Sequence, residues 1–210
     1  IGSTDAVLGL FVEPVQERTG AVLSDDAWAA LHAFREQTGI PIVSIETASA
    51  AYRCQTTAFA SDGDSADPDI RAWWPGGQTG FIHMKKQYFV PNPLTMVSTW
   101  DGDELSMIRA HYRMMELRKV KAQKAANVLK QFANILRAGG SQIDGRGLYY
   151  VLHLGARTKN VLEFCRQKGL VLRGFKNGGV ALSPPIDITV DELDSALKIL
   201  GAAIREAESM

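Results

Sequence analysis

Cysteine is scarce in this chain: two in 210 residues, Cys54 and Cys165, far apart and without a CxxC pair. That spacing indicates neither a disulfide scaffold nor a zinc site, and both read as ordinary packed thiols without a nucleophile's surroundings. Net charge is absent as well, because 23 basic residues balance 23 acidic ones. Nothing in the overall charge favours nucleic acid or membrane as a partner, and a neutral surface suits a protein that lives in an assembly. No apolar run approaches the roughly 18 residues of a membrane span and no signal peptide is visible, so the cytoplasm is the expected location. The four histidines, His32, His83, His111 and His153, show no ligand spacing, and no metal site is expected. Repeats and low-complexity segments are missing. So is an initiator methionine: the chain enters an apolar run within a few residues, which points to a processed, cut or split chain.

What is present is ordinary for a globular protein, 46% hydrophobic and 22% charged, in a chain long enough to bury a real core. The run AVLGLFVEP (Ala6–Pro14) is short, apolar and ended by proline, the pattern of a buried strand. SDDAWAALHAFREQTG (Ser24–Gly39) predicts a helix capped by Ser24 or Asp25, with Trp28, Leu31 and Phe34 on one face and Gly39 as the stop. IPIVSIE (Ile40–Glu46) is the next strand, and GFIHM (Gly80–Met84) and QYFV (Gln87–Val90) are further β-like pieces. Strand, helix and strand at this spacing predict a βαβ unit and a parallel sheet covered by helices.

The character changes near Asn92. A long helical stretch is expected from about Asp101 to Ala138, with Leu105, Ile108, Tyr112 and Met115 at helical spacing. Leu129, Phe132 and Leu136 continue the stripe beyond a basic middle, RKVKAQK, read as an exposed helix face. RAGGSQIDGRG breaks the helix. A small α+β unit follows: strand LYYVLHL, helix TKNVLEFCRQKG, strands LVLRG and VALSPP, and a last helix opened by a capping box of Thr189 and Glu192.

Several stretches then fall into one order. VEPVQERTGAVLSDDAWAALHAFREQTGIPIVSIE, PDI, STWDGDELSMIRAHYRMME, GRGL and ALSPPIDITVDELDSAL together resemble the second half of a class III aminotransferase dependent on pyridoxal phosphate (PLP), of the ornithine, 4-aminobutyrate and lysine 6-aminotransferase-like kind. The resemblance implies an α/β fold of the fold-type I PLP-transferase kind. Residues 1–95 would form the C-terminal part of the large parallel-sheet domain, and residues 96–210 a linking helix and a small α+β domain. The family's N-terminal half, with its glycine-rich loop and the ring that stacks on the cofactor, has no counterpart here.

The same resemblance marks functional positions that are occupied by other residues. Ile45 stands where the family's aspartate keeps the cofactor's pyridinium nitrogen protonated, with Glu46 retained beside it. Ala48 replaces the glutamine. Gly76 or Gly77, in PDIRAWWPGGQTGFIHM, takes the place of the Schiff-base lysine, and Ala181 that of the arginine that grips a substrate carboxylate. Glu13 and Thr99 match family positions. The family's threonine reaches the cofactor phosphate of a neighbouring subunit, so Thr99 with Ser98 is the expected contact to a partner's PLP.

These substitutions imply a catalytically degenerate subunit without a covalently bound cofactor, PLP being possible only in a site shared with another aminotransferase-like chain. That chain would supply the N-terminal half or an intact site, in a hetero-oligomer or dimer. Two other readings stay open. One is a PLP-independent enzyme that reuses the cleft with Glu13, Glu46 and Trp74; the other is a structural scaffold. Gly76 and Gly77 read as a tight turn or a phosphate cradle, and Trp73 and Trp74 as core, interface or a stacking platform. Lys85 and Lys86 are the nearest amines that could replace the lysine, or else a solvated strand edge.

Overall fold

The structure, a computed structural model, describes residues 7–63, 65–75, 79–92 and 103–209. They divide into two compact units. One holds the residues up to 14, 23–52 and 57–119; the other holds 15–22, 53–56 and those from 120 onward.

The first unit is built on a four-stranded sheet in the order β1-β2-β3-β4, from β1 (Leu10–Val12), β2 (Ile42–Glu46), β3 (Ile70–Trp73) and β4 (Phe81–Met84). The first three strands run parallel and β4 returns antiparallel to β3. Strand β2 is central, and Ile42, Val43, Ser44 and Glu46 are all buried. Helix α1 (Asp25–Thr38) makes the crossover from β1 to β2. Ser24 caps it, accepting from the Ala27 amide at 3.2 Å, and Gly39 stops it at φ 71°, a left-handed turn that glycine adopts at least cost. Trp28 then rests on Ile42 and Ala66, flanked by Val12, Leu23 and Leu31. Helix α2 (Glu104–Leu117) completes the unit.

The second unit is an antiparallel sheet in the order β5-β6-β8-β7, with three helices. Its elements are α3 (Gln123–Ala138), β5 (Gln142–Arg146), β6 (Tyr149–His153), α4 (Thr158–Gln167), β7 (Arg173–Gly174), β8 (Gly179–Leu182) and α5 (Val190–Glu208). Ala125, Leu129 and Ala133 recur every fourth residue on α3 and meet Leu152, Val161, Val180 and Leu200 in one apolar core. The capping box at Thr189 is present, with the Thr189 amide donating to Glu192 at 2.9 Å. Residues 15–22 are fastened to the unit by polar contacts. Tyr149 donates its hydroxyl to the Glu17 carbonyl at 2.6 Å, and a ring nitrogen of His153 lies 3.0 Å from the Thr19 carbonyl.

Four expectations are corrected. The single long helix is two, α2 and α3, broken at residues 118–122, and the helices belong to different units. QYFV is not a strand: Lys86–Tyr88 is a turn of 3₁₀ helix, begun where the Lys85 amide bonds to the Asp69 carbonyl. RAGGSQIDGRG does end the helix, α3 stopping at Ala138, but it is more than a breaker: it also contains β5, whose glycines and polar residues hid a strand that pairs residue for residue with β6. Strand β1 is not buried but lies at the sheet's edge, with Phe11 70% exposed. Among the described residues no helix is long and apolar enough to cross a membrane.

Candidate functional site

In an open parallel sheet, ligands gather at the carboxyl ends of the strands. Here those ends carry Glu13 after β1, Ile45 and Glu46 on β2, and Trp73 and Trp74 at the end of β3. Glu46 is fully buried, and both of its oxygens are occupied. Oε2 accepts from the Ser49 hydroxyl at 2.9 Å and the Ala60 amide at 2.8 Å. Oε1 accepts from the Ser61 amide at 3.2 Å, from the Ser61 hydroxyl, and from the Ser44 hydroxyl at 3.5 Å. Arg71 stands behind, its Nε 3.5 Å from Oε1, donating to the Ser61 hydroxyl at 2.9 Å and pairing with Asp62 at 3.1 Å. A buried carboxylate so enclosed ties the loop after β2 back onto the sheet, and it has no lone pair turned toward a reactant.

Ile45 is half-buried and faces the other side of the sheet from Glu46, because successive strand residues alternate. In register it lies beside Ala72 of β3. A one-residue offset on a strand is a change of face, so Glu46 is no substitute for an acid at position 45. The two tryptophans divide in the same way. Trp73 is buried, stacked on Phe81 at 5.1 Å and edge-on to Phe59 at 5.2 Å, whereas Trp74 is 55% exposed. Trp73 Nε1 donates to His83 Nε2 at 3.5 Å. Burial and the nearby Arg71 guanidinium hold His83 below its ordinary pKa, which keeps that nitrogen an acceptor.

Lys85 is held by two carboxylates, with Nζ 2.9 Å from Asp67 and 3.0 Å from Asp69. Burial pulls its pKa down, but the two aspartates outweigh burial and raise it, so the amine stays charged and is a poor nucleophile. Lys86 is exposed in the 3₁₀ turn. Glu13 is half-buried at the end of β1. Gly76, Gly77, Ser98 and Thr99 lie outside the described residues.

Ala48 is buried in the loop after β2. In that loop Ala51 and Tyr52 have φ of 60° and 64°, left-handed conformations that cost a non-glycine residue about 1 kcal/mol or more each. Ala181 is buried on β8 and lines, with Leu182, Ser183, Pro184 and Leu197, an apolar cavity of about 430 Å³ within the second unit. Three of the histidines make contacts that hold the fold, His32 by a ring nitrogen 3.0 Å from the Ala66 carbonyl, whereas His111 is exposed on α2. Among the described residues no group of histidine, cysteine and carboxylate side chains is placed to hold a metal. Both cysteines are buried, and burial pushes the Cys165 thiol up, away from the reactive thiolate. Arg71, Ser49 and Ser61 are missed by sequence reasoning; Ser49 lies three residues from Glu46, but nothing local in the sequence ties Ser61 or Arg71, fifteen and twenty-five residues on, to it.

No family model matches the chain. Two curated proteins share 28% identity with it, the diaminobutyrate–2-oxoglutarate transaminases of Nocardia farcinica, over 141 residues, and Streptomyces coelicolor, over 143. The matches cover 65% and 66% of this chain but only 30% and 32% of those proteins. Among solved structures, the ornithine aminotransferase of Toxoplasma gondii superposes with a TM-score of 0.85 at 21% identity, over 96% of this chain and 51% of that one. The ornithine δ-aminotransferase of Plasmodium falciparum gives 0.82 at 20%, over 96% and 57%. An amine transaminase from an uncultivated Pseudomonas, solved with PLP as its internal aldimine, gives 0.81 at 20%, over 95% and 52%. The chain thus spans about a third of the curated relatives and about half of the solved ones. In sequence the chain is similar to diaminobutyrate–2-oxoglutarate transaminases, and in fold it has the α/β, fold-type I architecture of the PLP aminotransferases.

Proposed function

We propose that this chain is a catalytically degenerate class III aminotransferase-like subunit, working in the cytoplasm by assembling with another aminotransferase-like chain. That partner supplies the N-terminal half or an intact PLP site. The carrying observation is the carboxyl end of β2, where Ile45 offers no acceptor and the neighbouring carboxylate, Glu46, is turned to the other face and enclosed. A pyridinium nitrogen set against Ile45 would be a buried cation without a partner, which costs several kcal/mol. With glycine at 76 and 77 and Lys85 held by Asp67 and Asp69, the residues do not fit a covalently held PLP. No step through that cofactor is assigned to this chain. Ser98 and Thr99 are its contribution to the phosphate of a partner's PLP.

Assembly is supported by the sheet itself. Among the described residues β1 pairs only with β2 and β4 only with β3, so both edges lie open. Both edges also carry large apolar side chains: Leu8 is 90% exposed and Phe11 70% exposed at β1, and Ile82 52% exposed on β4. Open edges of that kind invite further strands. The solved relatives are about twice as long, which leaves material to provide them. The test is amide exchange on the chain alone and after co-expression with an aminotransferase-like chain from the same source. Protection of the amides around Phe11 and Ile82 on co-expression supports the reading; unchanged exchange at both edges counts against it.

A further inference from the structure

The cavity of about 430 Å³ in the second unit has an apolar floor, a stiff wall and one charged group at its rim. Its floor is the core itself: Leu129 of α3, Leu182 of β8 and Leu193 and Leu200 of α5 line it, all of them buried. One wall holds Pro184 and Pro185, whose fixed φ and missing N–H groups make it rigid and poor in donors. Arg53 fastens that wall, donating to the Pro184 carbonyl at 2.7 Å. Among the described residues that line the cavity, Arg173 of β7 alone carries a charge. Arg173 pairs in register with Ala181 of β8, whose methyl group leaves the guanidinium room over the cavity. The guanidinium is placed from two sides, by Glu17 at 2.6 Å from Nη1 and by the Phe175 ring, with its centroid 5.0 Å away. Glu17 engages one edge of a planar fork that carries five N–H donors, so donors remain for a second carboxylate.

We propose that this cavity binds an amphipathic monocarboxylate, with its apolar body against the leucine floor and its carboxylate on Arg173 at the rim. The volume lies in the range of small-molecule sites. At about 30 Å³ for a water-sized group, it takes roughly ten to fourteen non-hydrogen atoms. Charge and shape together select the class. An amine would meet Arg173 as a like charge. A sugar or nucleotide would leave hydroxyls unpaired against the leucines, because Tyr149 already gives its hydroxyl to the Glu17 carbonyl and Ser183 is the other lining hydroxyl. The two prolines also keep the wall in shape before a ligand arrives, which lowers the ordering cost of binding. Every residue of the site belongs to the second unit. The site depends neither on the cofactor nor on a partner chain, so its failure leaves the reading above untouched.

Calorimetric titration of the full chain with decanoate tests the site, with decylamine as the probe of opposite charge. Saturable one-to-one binding of decanoate is expected, with Kd on the order of 100 μM. Decylamine should bind about tenfold more weakly or worse. Arg173→Gln, at an exposed position, should weaken decanoate about tenfold and bring the two probes together. Ala196→Trp, at a half-buried position on α5, fills the cavity and should abolish binding. Ile188→Trp gives an independent filling should Ala196→Trp disturb the fold. Absence of saturable decanoate binding up to about millimolar concentration would overturn the proposal, and exclusion of decanoate by a chain segment lying over the cavity counts as that result. Equal affinity for the two probes, or decanoate binding indifferent to Arg173→Gln or to both fillings, would overturn it as well.

Discussion

The Lys85 ammonium lies 3.0 Å from the Asp69 carboxylate, whose other oxygen accepts from the Ile42 amide at 2.9 Å. Asp69, in the loop before β3, therefore ties Lys85, which follows β4, to the first residue of β2. Arg35 of α1 joins the same carboxylate at 3.3 Å. Burial pushes the Asp69 carboxyl up, but the Ile42 amide, Lys85 and Arg35 outweigh it and hold its pKa below the ordinary 3.8. Because the folded value is the lower one, the stabilisation is present above pH 3.8 and is lost as pH falls through the folded value. Urea titrations between pH 5 and about pH 2 should show this acid loss in the parent and a flatter profile in Asp69→Asn. At neutral pH that variant should be less stable by about 1–3 kcal/mol. An unchanged acid limb in the variant would remove Asp69 from the account.

Glu46→Gln should be costly for the fold. The Ala60 amide donates to one carboxylate oxygen and the Ser61 amide to the other, so the amide group of a glutamine must point its NH₂ at a donor. A loss of about 2–4 kcal/mol is expected in denaturant unfolding. A variant as stable as the parent would show that the enclosure is not what holds this loop, and would return Glu46 to the acid–base candidates.

The adjacent tryptophans should respond very differently to truncation. Trp73→Ala removes a buried ring packed on Phe59 and Phe81 and should cost about 3–5 kcal/mol. Trp74→Ala, at a position 55% exposed, should change stability by about 1 kcal/mol or less. Thermal melts of the two variants decide it, and equal losses would contradict the division of the pair between faces.

Ala51→Gly should stabilise the first unit by about 1 kcal/mol, because glycine adopts φ 60° without the clash a Cβ brings. In the second unit Gly20→Ala should do the opposite. Gly20 sits at φ 75°, and an added Cβ would stand 2.1 Å from the Asp144 carbonyl oxygen, forcing residues 15–22 off β5. Paired urea titrations check both signs.

Local signals were legible in the sequence and distant ones were not. Ser24, Gly39 and the Thr189–Glu192 box each lie within a few residues of the backbone they cap, so α1 and α5 could be placed to within a residue or two. The resemblance also located the carboxyl ends of the parallel strands, and with them Ile45 and Glu46. What made Glu46 a structural group was out of reach, because its partners at 60, 61 and 71 come to it only through the fold. Strand β5 was hidden because pairing with β6, rather than an apolar alternation of its own, makes it a strand. Likewise the stripe on α2 was visible as helical spacing, but spacing is the same for a face turned inward or outward.

The central claim is that this chain does not itself carry the cofactor amine. It is tested most directly by borohydride reduction of the protein purified with its co-expressed aminotransferase-like partner, followed by peptide mass mapping of both chains. The account predicts a pyridoxyl group fixed on a lysine of the partner and none on this chain. A pyridoxyl group on Lys85, Lys86 or any other lysine of this chain would contradict it.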